Sequence, residues 1–327
     1  MTRIAVLDDW QDVARGCADW SQVEARAEVV FFHGALGSVD EAAAALADFD
    51  LVLTMRERTA FPAALVQRLP KLRMLGMTGA RAASIDVAAL TAQGVVVCNT
   101  GGEKSGAATA ELALGLILAA VRRIAAGDAS IRAGRFQEGV GMGPVLEGKT
   151  LGVIGLGRIG GRMARYGQAL GMHVLAWSQN LTAERAEAAG ARLVSKAELL
   201  ERADAVSLHL VLSDRTRGVL SAPDLARMKQ GAVLVNTSRG PLVDEAALID
   251  ALRAGRIFAG LDVYDREPLP PEHPLRSAPN CVLTPHLGYC VNEVFAQFYG
   301  ETVENTLAFL DGKPVRVVNP EALDRAG

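Results

Sequence analysis

The sequence predicts an α/β protein with two Rossmann-like domains, each built on a doubly wound parallel sheet, and a cleft between them. Short apolar runs alternate with helical patterns through the first third of the chain, and the same alternation restarts at Lys149. This alternation is typical of parallel strands that are covered by helices on both faces. A glycine-rich turn between a strand and a helix marks the second domain as the nucleotide-binding one.

The first third of the chain contains the first group of predicted elements. The strands cover 4–7, 29–32, 51–54, 72–76 and 95–98, and the helices cover 40–47, 62–68 and 87–93. Ser38 and Glu41 have the spacing of a capping box, which predicts the start of the first of these helices.

An alanine- and leucine-rich segment, 103–126, follows and is predicted to form one long helix. The segment is apolar on more than one face, so more than one neighbour is needed to bury it. We therefore expect it to connect the two domains and to form part of a homodimer contact.

The second group of elements opens with a strand–turn–helix–strand unit that contains Gly155, Gly157 and Gly160. Gly155 permits a tight turn, Gly157 lets a pyrophosphate approach the backbone, and Gly160 lets the helix pack closely on the strand. This context predicts a dinucleotide site. The predicted strands cover 150–154, 173–177, 191–194, 205–210, 233–236, 257–261 and 282–284, and the helices cover 161–170, 196–202, 223–229, 245–254 and 293–310.

A second phosphate-binding pattern overlaps the first strand of this unit. The segment 143–150 matches the P-loop pattern residue for residue, but it leads into a strand. A P-loop must lead into a helix, because the helix N-terminus binds the phosphates. We therefore expect no nucleoside triphosphate site there.

The composition excludes several classes of protein. The 327 residues are 50% hydrophobic and 22% charged, with a net charge of −3, so neither nucleic acid nor a membrane surface is an expected partner. The longest apolar stretch, 112–121, is too short to cross a bilayer, and 2–7 reads as a strand and not as a leader peptide. The four cysteines lack metal-ligand spacing, so we expect reduced thiols, no metal and a cytoplasmic location.

Three side chains that can act on a 2-oxo acid each follow a predicted strand of the second domain: Arg239, Glu267 and His286. Ligands of an open parallel sheet bind outside the carboxyl ends of its strands, so we expect all three in the crevice of the glycine turn. An arginine can hold a carboxylate bidentately, a histidine can exchange a hydroxyl proton, and a carboxylate orients the imidazole and favours its charged form. Taken singly, they could also be a turn arginine, a loop charge and a structural histidine.

The other four histidines have no such company in the sequence. His173 and His209 lie within predicted strands, so we expect both to be packed. His33 and His273 likewise do not belong to such a group of strand-end side chains.

Four segments, 152–160, 236–245, 261–269 and 284–288, resemble signatures of the D-isomer-specific 2-hydroxyacid dehydrogenases. That family includes phosphoglycerate, glyoxylate/hydroxypyruvate, D-lactate and formate dehydrogenases, and the resemblance extends over nearly the whole chain. It implies a discontinuous, flavodoxin-like substrate domain, 1–99 plus 291–327, and an NAD(P)-binding Rossmann domain, 100–290.

The resemblance also implies roles for individual residues. Arg239 would anchor the substrate, Glu267 would partner His286, and His286 would be the general acid/base. Asp262 would hydrogen-bond the nicotinamide carboxamide, although a strand-end aspartate that caps a turn is the alternative. The expected coenzyme contacts are Gly155, Gly157, Arg158, Ile159, Gly160, Ser178, Thr237 and Asp262.

One departure from the family concerns the coenzyme. Members that use NAD typically carry an acidic residue where this chain has Ser178. Its absence removes a repulsion against the 2′-phosphate of NADP, yet no basic residue adjoins Ser178 and Arg185 is the nearest candidate. The sequence therefore favours NAD slightly and leaves NADP open.

A second departure concerns the substrate loop. The family's glycine-rich loop, which binds the substrate carboxylate, corresponds to Thr78, Gly79, Ala80 and Arg81, with Arg81 where glycine is common. We expect Arg81 to contact the substrate or to narrow the pocket, and a solvent-facing arginine is the alternative. Tyr289 is a further candidate for the pocket wall.

The predicted function is hydride transfer between NAD(P)H and a small 2-oxo acid or D-2-hydroxy acid. Loop shape, and not the motifs, decides which acid is used, so the sequence leaves the acid open. A nicotinamide-sensing co-repressor on the same fold is the alternative, because the arginine, glutamate and histidine can persist in such a protein.

Overall fold

A computed structural model describes residues 1–80 and 82–325. The chain divides into two compact units, one formed by Met1–Lys104 together with the C-terminal part from Val291, the other by Ser105–Cys290. Each unit contains one parallel sheet, of five strands in the first and seven in the second. The predicted α/β class with two parallel sheets is confirmed.

The elements follow one another along the chain with short connections. The strands are β1 (Thr2–Val6), β2 (Ala27–Phe31), β3 (Leu51–Thr54), β4 (Met74–Met77), β5 (Val96–Asn99), β6 (Thr150–Ile154), β7 (His173–Trp177), β8 (Arg192–Leu193), β9 (Ala205–Leu208), β10 (Val233–Asn236), β11 (Phe258–Leu261) and β12 (Cys281–Leu283). The helices are α1 (Ala14–Cys17), α2 (Ser21–Glu24), α3 (Val39–Leu46), α4 (Ala63–Val66), α5 (Val87–Ala92), α6 (Ser105–Val121), α7 (Ile124–Arg132), α8 (Arg158–Ala169), α9 (Ala183–Ala188), α10 (Lys196–Arg202), α11 (Ala222–Arg227), α12 (Glu245–Arg253) and α13 (Asn292–Leu310). None of the helices in the described part of the chain combines the length and the hydropathy that crossing a bilayer requires.

The first sheet has the strand order β2-β1-β3-β4-β5. β3 and β4 are buried along their whole length, which explains why their sequences are continuous apolar runs and not alternating ones. The predicted capping box at Ser38 is present and starts α3. α13 returns to this unit and packs on α1, α2 and β4.

The second sheet has the strand order β12-β11-β10-β9-β6-β7-β8, and every pair is parallel. The chain runs outward from β6 through β7 and β8, then crosses back to β9 and runs outward on the other side. The order therefore reverses between β6 and β9, the place where doubly wound folds bind ligands. Because all strands are parallel, the loops that follow them meet at one edge.

The prediction of one long helix over 103–126 is wrong. α6 ends at Val121 and α7 begins at Ile124, because Arg123 adopts a left-handed backbone conformation with φ 57°. The Arg123 guanidinium lies 3.4 Å from the centroid of the Phe258 ring, a cation–π contact that holds the turn. α6 itself packs on α8, β10 and β11 within the second unit.

Two aspartates directly after β1 have different environments. The Asp9 carboxylate accepts the N–H groups of Val13 and Ala14 at 2.9 and 3.2 Å and so binds the start of α1. Asp8 is 5% exposed, and its carboxylate accepts the Thr59 hydroxyl at 2.8 Å. Burial raises the pKa of Asp8 from 3.8 to about 6, although the hydroxyl and backbone hydrogen bonds from Thr59 and the nearby charge of Arg58 oppose that rise.

Asp8 should make the fold less stable above pH 6. The folded protein binds the Asp8 proton more tightly than the unfolded chain, so this stabilisation is present below about pH 4 and is lost as the pH rises through about 6. Asp8→Asn removes the buried charge. Urea unfolding should show that the variant gains about 2–3 kcal/mol relative to wild type between pH 4 and pH 8. Asp12→Asn, an exposed carboxylate nearby, is the control; an equal pH effect in both variants would contradict this explanation.

Candidate active site

Glu267 and His286 form a hydrogen-bonded pair at the carboxyl edge of the second sheet. Nδ1 of His286 lies 2.6 Å from Oε2 of Glu267, and the two side chains are 18% and 23% exposed. The second carboxylate oxygen, Oε1, accepts the backbone N–H of Tyr264 at 3.0 Å. Since a carboxylate only accepts hydrogen bonds, the imidazole carries its proton on Nδ1. Nε2 is therefore the ring nitrogen that can exchange a proton with a substrate.

Arg239 follows β10 in a loop that is tied to the loop of Glu267. The side-chain amide of Asn236 donates to the Arg239 carbonyl at 2.8 Å and accepts the Ser238 N–H at 3.0 Å. A methyl group at Gly240 would lie 2.1 Å from the carbonyl carbon of Tyr264. Only glycine permits this backbone contact, so the arginine loop and the glutamate loop keep a fixed separation.

Asp262 anchors the loop that carries His286. Its carboxylate is fully buried and accepts the Thr284 hydroxyl at 2.6 Å, the Leu287 N–H at 2.7 Å and the Gly288 N–H at 2.9 Å. Burial raises the pKa of Asp262, whereas these hydrogen bonds and the nearby His286 oppose the rise. Three of its roughly four acceptor directions are therefore used within the protein, and its contact with the nicotinamide stays a prediction.

The expectation that His173 is packed is wrong. His173 starts β7 and is exposed, because the first residue of that strand projects beyond the core. His273 has a carboxylate partner: its Nε2 lies 3.1 Å from Oε1 of Glu245. That pair joins the loop after β11 to the start of α12. The two residues are 28 positions apart in the chain, so the local sequence gave no sign of the contact. The expectation for His209 is confirmed: Nδ1 of its ring is buried, Nε2 lies 2.8 Å from the Ser207 hydroxyl oxygen, and burial lowers the pKa of the ring to about 3.

Tyr289 follows the His286 loop and packs against it. The two rings are edge-to-face, with their centroids 5.9 Å apart. Tyr289 is 8% exposed, so its ring contributes mainly as a packing surface for the imidazole. Its proposed part in the pocket wall rests on this contact.

The three glycines of the dinucleotide pattern are required for different reasons. Gly155 has φ 96°, and a methyl group there would lie 2.5 Å from the His209 carbonyl oxygen. A methyl group at Gly160 would lie 2.0 Å from the Gly155 carbonyl oxygen. At Gly157 it would meet no atom within 4 Å. The fold explains Gly155 and Gly160, whereas Gly157 leaves space for a group from outside the protein.

Other features of this edge also fit a dinucleotide. α8 begins at Arg158 directly after the glycine turn, so its first N–H groups can face an anion. The Arg158 side chain lies beside Gly106 of α6, and Ile159 is half-buried in the first turn of α8. The Thr237 hydroxyl is buried and has no hydrogen-bond partner in the described structure. A buried hydroxyl of this kind is normally paired, so a bound coenzyme is a suitable partner.

The candidate substrate loop follows β4 in the first unit. The Thr78 N–H donates to the Thr54 carbonyl at 3.3 Å, and the Gly79 N–H donates to the Thr100 hydroxyl at 2.8 Å. The protein itself therefore uses both of these N–H groups. Ala80 is the exposed member of the loop, and Arg81 lies outside the described residues.

Arg56 is a residue at this loop that the sequence reading missed. It follows β3 with a left-handed backbone, φ 55°, and its Nη1 donates to the Thr78 carbonyl at 3.3 Å. A methyl group at Gly79 would lie 1.8 Å from the same nitrogen. The rule that selected Arg239, a basic residue directly after a buried strand, would also have selected Arg56.

Fold and site together define a class of protein. A doubly wound parallel sheet presents a dinucleotide turn, an arginine and a histidine–glutamate pair at one edge, as expected for a nicotinamide-dependent oxidoreductase. Comparison with known proteins narrows the class. Residues 114–288 match the family model for the NAD-binding domain of D-isomer specific 2-hydroxyacid dehydrogenases.

Individual relatives agree with that match. The chain is 38% identical over 265 residues to D-3-phosphoglycerate dehydrogenase of Archaeoglobus fulgidus, covering 81% of this chain but only 50% of that protein. It is 33% identical to hydroxypyruvate reductase of Blautia hydrogenotrophica, covering 97% and 99% of the two chains. The structure of a phosphoglycerate oxidoreductase from Vibrio cholerae matches with a TM-score of 0.90 and 36% identity, over 95% of this chain and 100% of that one.

The chain belongs to the D-isomer specific 2-hydroxyacid dehydrogenase family. The predictions of this family and of a nicotinamide coenzyme are thereby confirmed. The chain spans about half the length of the phosphoglycerate dehydrogenase that it matches.

Because the glycines have different roles, we expect their substitution by alanine to have different effects on stability and on coenzyme binding. Gly160→Ala should lower the melting temperature by several degrees, because the new methyl group overlaps a backbone oxygen. Gly157→Ala should leave the melting temperature within about 1 °C, yet weaken NAD(P)H binding by about tenfold or more, since the methyl group fills the space left for the pyrophosphate. Thermal unfolding and coenzyme fluorescence titration measure both effects. Unchanged coenzyme affinity in Gly157→Ala would refute the assignment of that space.

Proposed function

We propose that this protein transfers hydride between NAD(P)H and the carbonyl carbon of a small 2-oxo acid, giving a D-2-hydroxy acid. The observation that carries the proposal is the 2.6 Å contact between His286 and Glu267 at the edge that also holds the glycine turn. Hydride transfer to a carbonyl leaves an oxygen that needs a proton, and this pair is suited to supply it. The bound nicotinamide supplies the hydride.

In the proposed reaction each of the three residues has a separate task. His286, protonated on both ring nitrogens, donates the Nε2 proton to the developing hydroxyl. Glu267 keeps the imidazole oriented through Nδ1 and stabilises its positive charge. Arg239 binds the substrate carboxylate or carbonyl oxygen with its guanidinium fork. In the reverse direction, neutral His286 removes the hydroxyl proton.

The first unit is proposed to contribute further substrate contacts. Because Thr78 and Gly79 use their N–H groups internally, we assign the backbone contact to Ala80 and treat Thr78 and Gly79 as residues that shape the loop. The contact of Arg81 with the substrate remains part of the proposal. The names of the relatives, phosphoglycerate dehydrogenase and hydroxypyruvate reductase, support small 2-oxo acids with a polar substituent as the first substrates to test.

Turnover assays separate this function from the co-repressor alternative. Purified protein is mixed with glyoxylate, hydroxypyruvate, pyruvate and bulkier 2-oxo acids, each with NADH and with NADPH, and the loss of reduced-nicotinamide absorbance is followed. We expect turnover with at least one acid. Tight coenzyme binding without turnover of any acid would favour the sensing role and contradict the proposal.

Variants of the two histidine–glutamate pairs test the proton transfer. His286→Asn suits the left-handed backbone at φ 56° but removes the acid, so kcat should fall about 10²–10⁴-fold while the coenzyme Kd stays unchanged. His273→Asn is the matched control, since His273 also pairs with a glutamate, at 3.1 Å, and it should keep kcat within about threefold of wild type. Equal losses of kcat in both variants would point to a structural effect and refute the assignment.

We further propose a cytoplasmic homodimer without nucleic acid or membrane partners. Support for the dimer comes from α7 and the segment that follows it, where Ile131, Phe136, Met142 and Val145 are 57%, 70%, 95% and 71% exposed. Large apolar side chains clustered in one segment are typical of an interface. The four free cysteines fit a reducing compartment.

Light scattering during gel filtration tests the dimer. Wild type at micromolar concentration should show twice the 34.5 kDa mass of one chain, and Phe136→Glu with Met142→Glu should shift it to the monomer. Val39→Glu, at another exposed apolar residue, should leave the dimer intact. A monomeric wild type would refute the proposal.

A further inference from the structure

A cavity of about 340 Å³ lies beside the end of β7 in the second unit. Its lining includes Trp177 and Gln179, the residues on either side of Ser178, together with Arg215 and Arg217. Two arginines therefore line the space next to the residue that replaces the family's usual acidic side chain. The sequence reading missed them because they follow β9, far along the chain from Ser178.

The sheet order explains why these two segments face each other. β7 and β9 are the two neighbours of β6, so their ends lie about 10 Å apart, two strand spacings, on either side of the glycine turn. In a dinucleotide fold the pyrophosphate binds at that turn and the adenosine ribose lies at the end of the second strand. The cavity thus coincides with the expected position of the ribose 2′ group.

The loop of Arg215 has a defined backbone. The Thr216 hydroxyl donates to the Val211 carbonyl at 2.7 Å and accepts the Ser213 N–H at 2.8 Å. The Gly218 N–H donates to the Pro241 carbonyl at 2.8 Å, which ties the end of the loop to the segment after β10. Both arginines therefore lie on a loop whose backbone is fixed by hydrogen bonds.

The charges that line the cavity leave an excess of positive charge. Asp224 is the acidic residue of the lining, and its carboxylate lies 2.8 Å from the ammonium of Lys196 and also accepts the N–H and hydroxyl of Ser221. These partners neutralise Asp224. Within residues 1–80 and 82–325, the side chains of Arg215 and Arg217 form no recorded hydrogen bond or ion pair with another residue.

The two arginines are not equivalent. Burial raises the pKa of Asp265, and the charges of Arg217 and His273 oppose that rise. The positive charge of Arg217 is therefore partly balanced by the Asp265 carboxylate. Within residues 1–80 and 82–325, Arg215 shows no comparable interaction with a carboxylate. Arg215 should therefore contribute more to an anion in the cavity than Arg217.

We propose that this cavity binds the 2′-phosphate of NADP(H), with Arg215 as the main determinant, Arg217 as the second, and the neutral Gln179 as a hydrogen-bond donor. The inference rests on the proposed coenzyme-dependent function and replaces the slight preference for NAD that the sequence suggested. A guanidinium fork matches a phosphate group bidentately, whereas the uncharged 2′-hydroxyl of NAD would leave both arginines in the cavity without an anion.

Binding of two adenosine fragments tests the inference without any turnover. Adenosine 2′,5′-bisphosphate and 5′-AMP differ only in the 2′-phosphate, and calorimetric titration measures the Kd of each. Wild type should bind the bisphosphate at least about tenfold more tightly. Arg215→Ala should reduce this ratio about five- to tenfold and Arg217→Ala by less, with the affinity for 5′-AMP unchanged in both.

Arg185→Ala is the matched control, because Arg185 is an exposed arginine of α9 that does not line the cavity. It should leave the ratio unchanged. Equal affinities of wild type for the two fragments would overturn the inference, and so would a ratio that falls only in Arg185→Ala. Both substituted arginines are exposed, and an unchanged melting temperature verifies that the variants fold.

Failure of this inference and failure of the proposed function give different results. If 2-oxo acids are reduced equally well with NADH and NADPH and the fragment ratio is near one, the function stands and the inference fails. If the bisphosphate is preferred as expected but no acid is reduced, the cavity assignment stands and the reductase proposal fails.

Discussion

The buried carboxylate of Asp262 is the interaction on which the edge of the second sheet depends. It lies at the end of β11 and accepts three hydrogen bonds from the segment after β12. Desolvation of a buried charge is costly unless hydrogen bonds compensate for it, so the segment from Thr284 to Gly288 can hardly move without leaving the charge unsatisfied. The left-handed conformation of His286 is one consequence, because the chain must reverse between Thr284 and Leu287 to bring its donors to a single carboxylate.

The same logic extends to the neighbouring loops. Glu267 is fixed between the His286 ring and the Tyr264 N–H, and Tyr264 also donates its hydroxyl to the Thr284 carbonyl at 2.9 Å. Close contact at Gly240 then joins the Arg239 loop to Tyr264. An arginine, a glutamate and a histidine from three different strands are thus held by backbone contacts, which is the kind of preorganisation that a proton transfer requires.

Local pattern was sufficient to predict much of this structure. Buried parallel strands appear as apolar runs in the sequence. Gly155, Gly157 and Gly160 are each needed for a local reason, either steric or to leave space for a ligand. Contacts between distant segments had no local signal. The turn at Arg123 contains neither glycine nor proline and depends on the Phe258 ring, and the internal use of the Thr78 and Gly79 N–H groups depends on neighbouring strands and loops. The same limit concealed Arg215 from a reading centred on Ser178.

The division into two units bears on how such a protein can diversify. Arg239, Glu267, His286 and the glycine turn all belong to Ser105–Cys290, whereas the candidate substrate loop belongs to the first unit. Substitutions in that loop leave the hydrogen-bond network of Asp262 untouched. If the protein functions as proposed, one copy left by a gene duplication could therefore acquire a new substrate range through a few changes in that loop, while the hydrogen-bond network of the second unit remains intact.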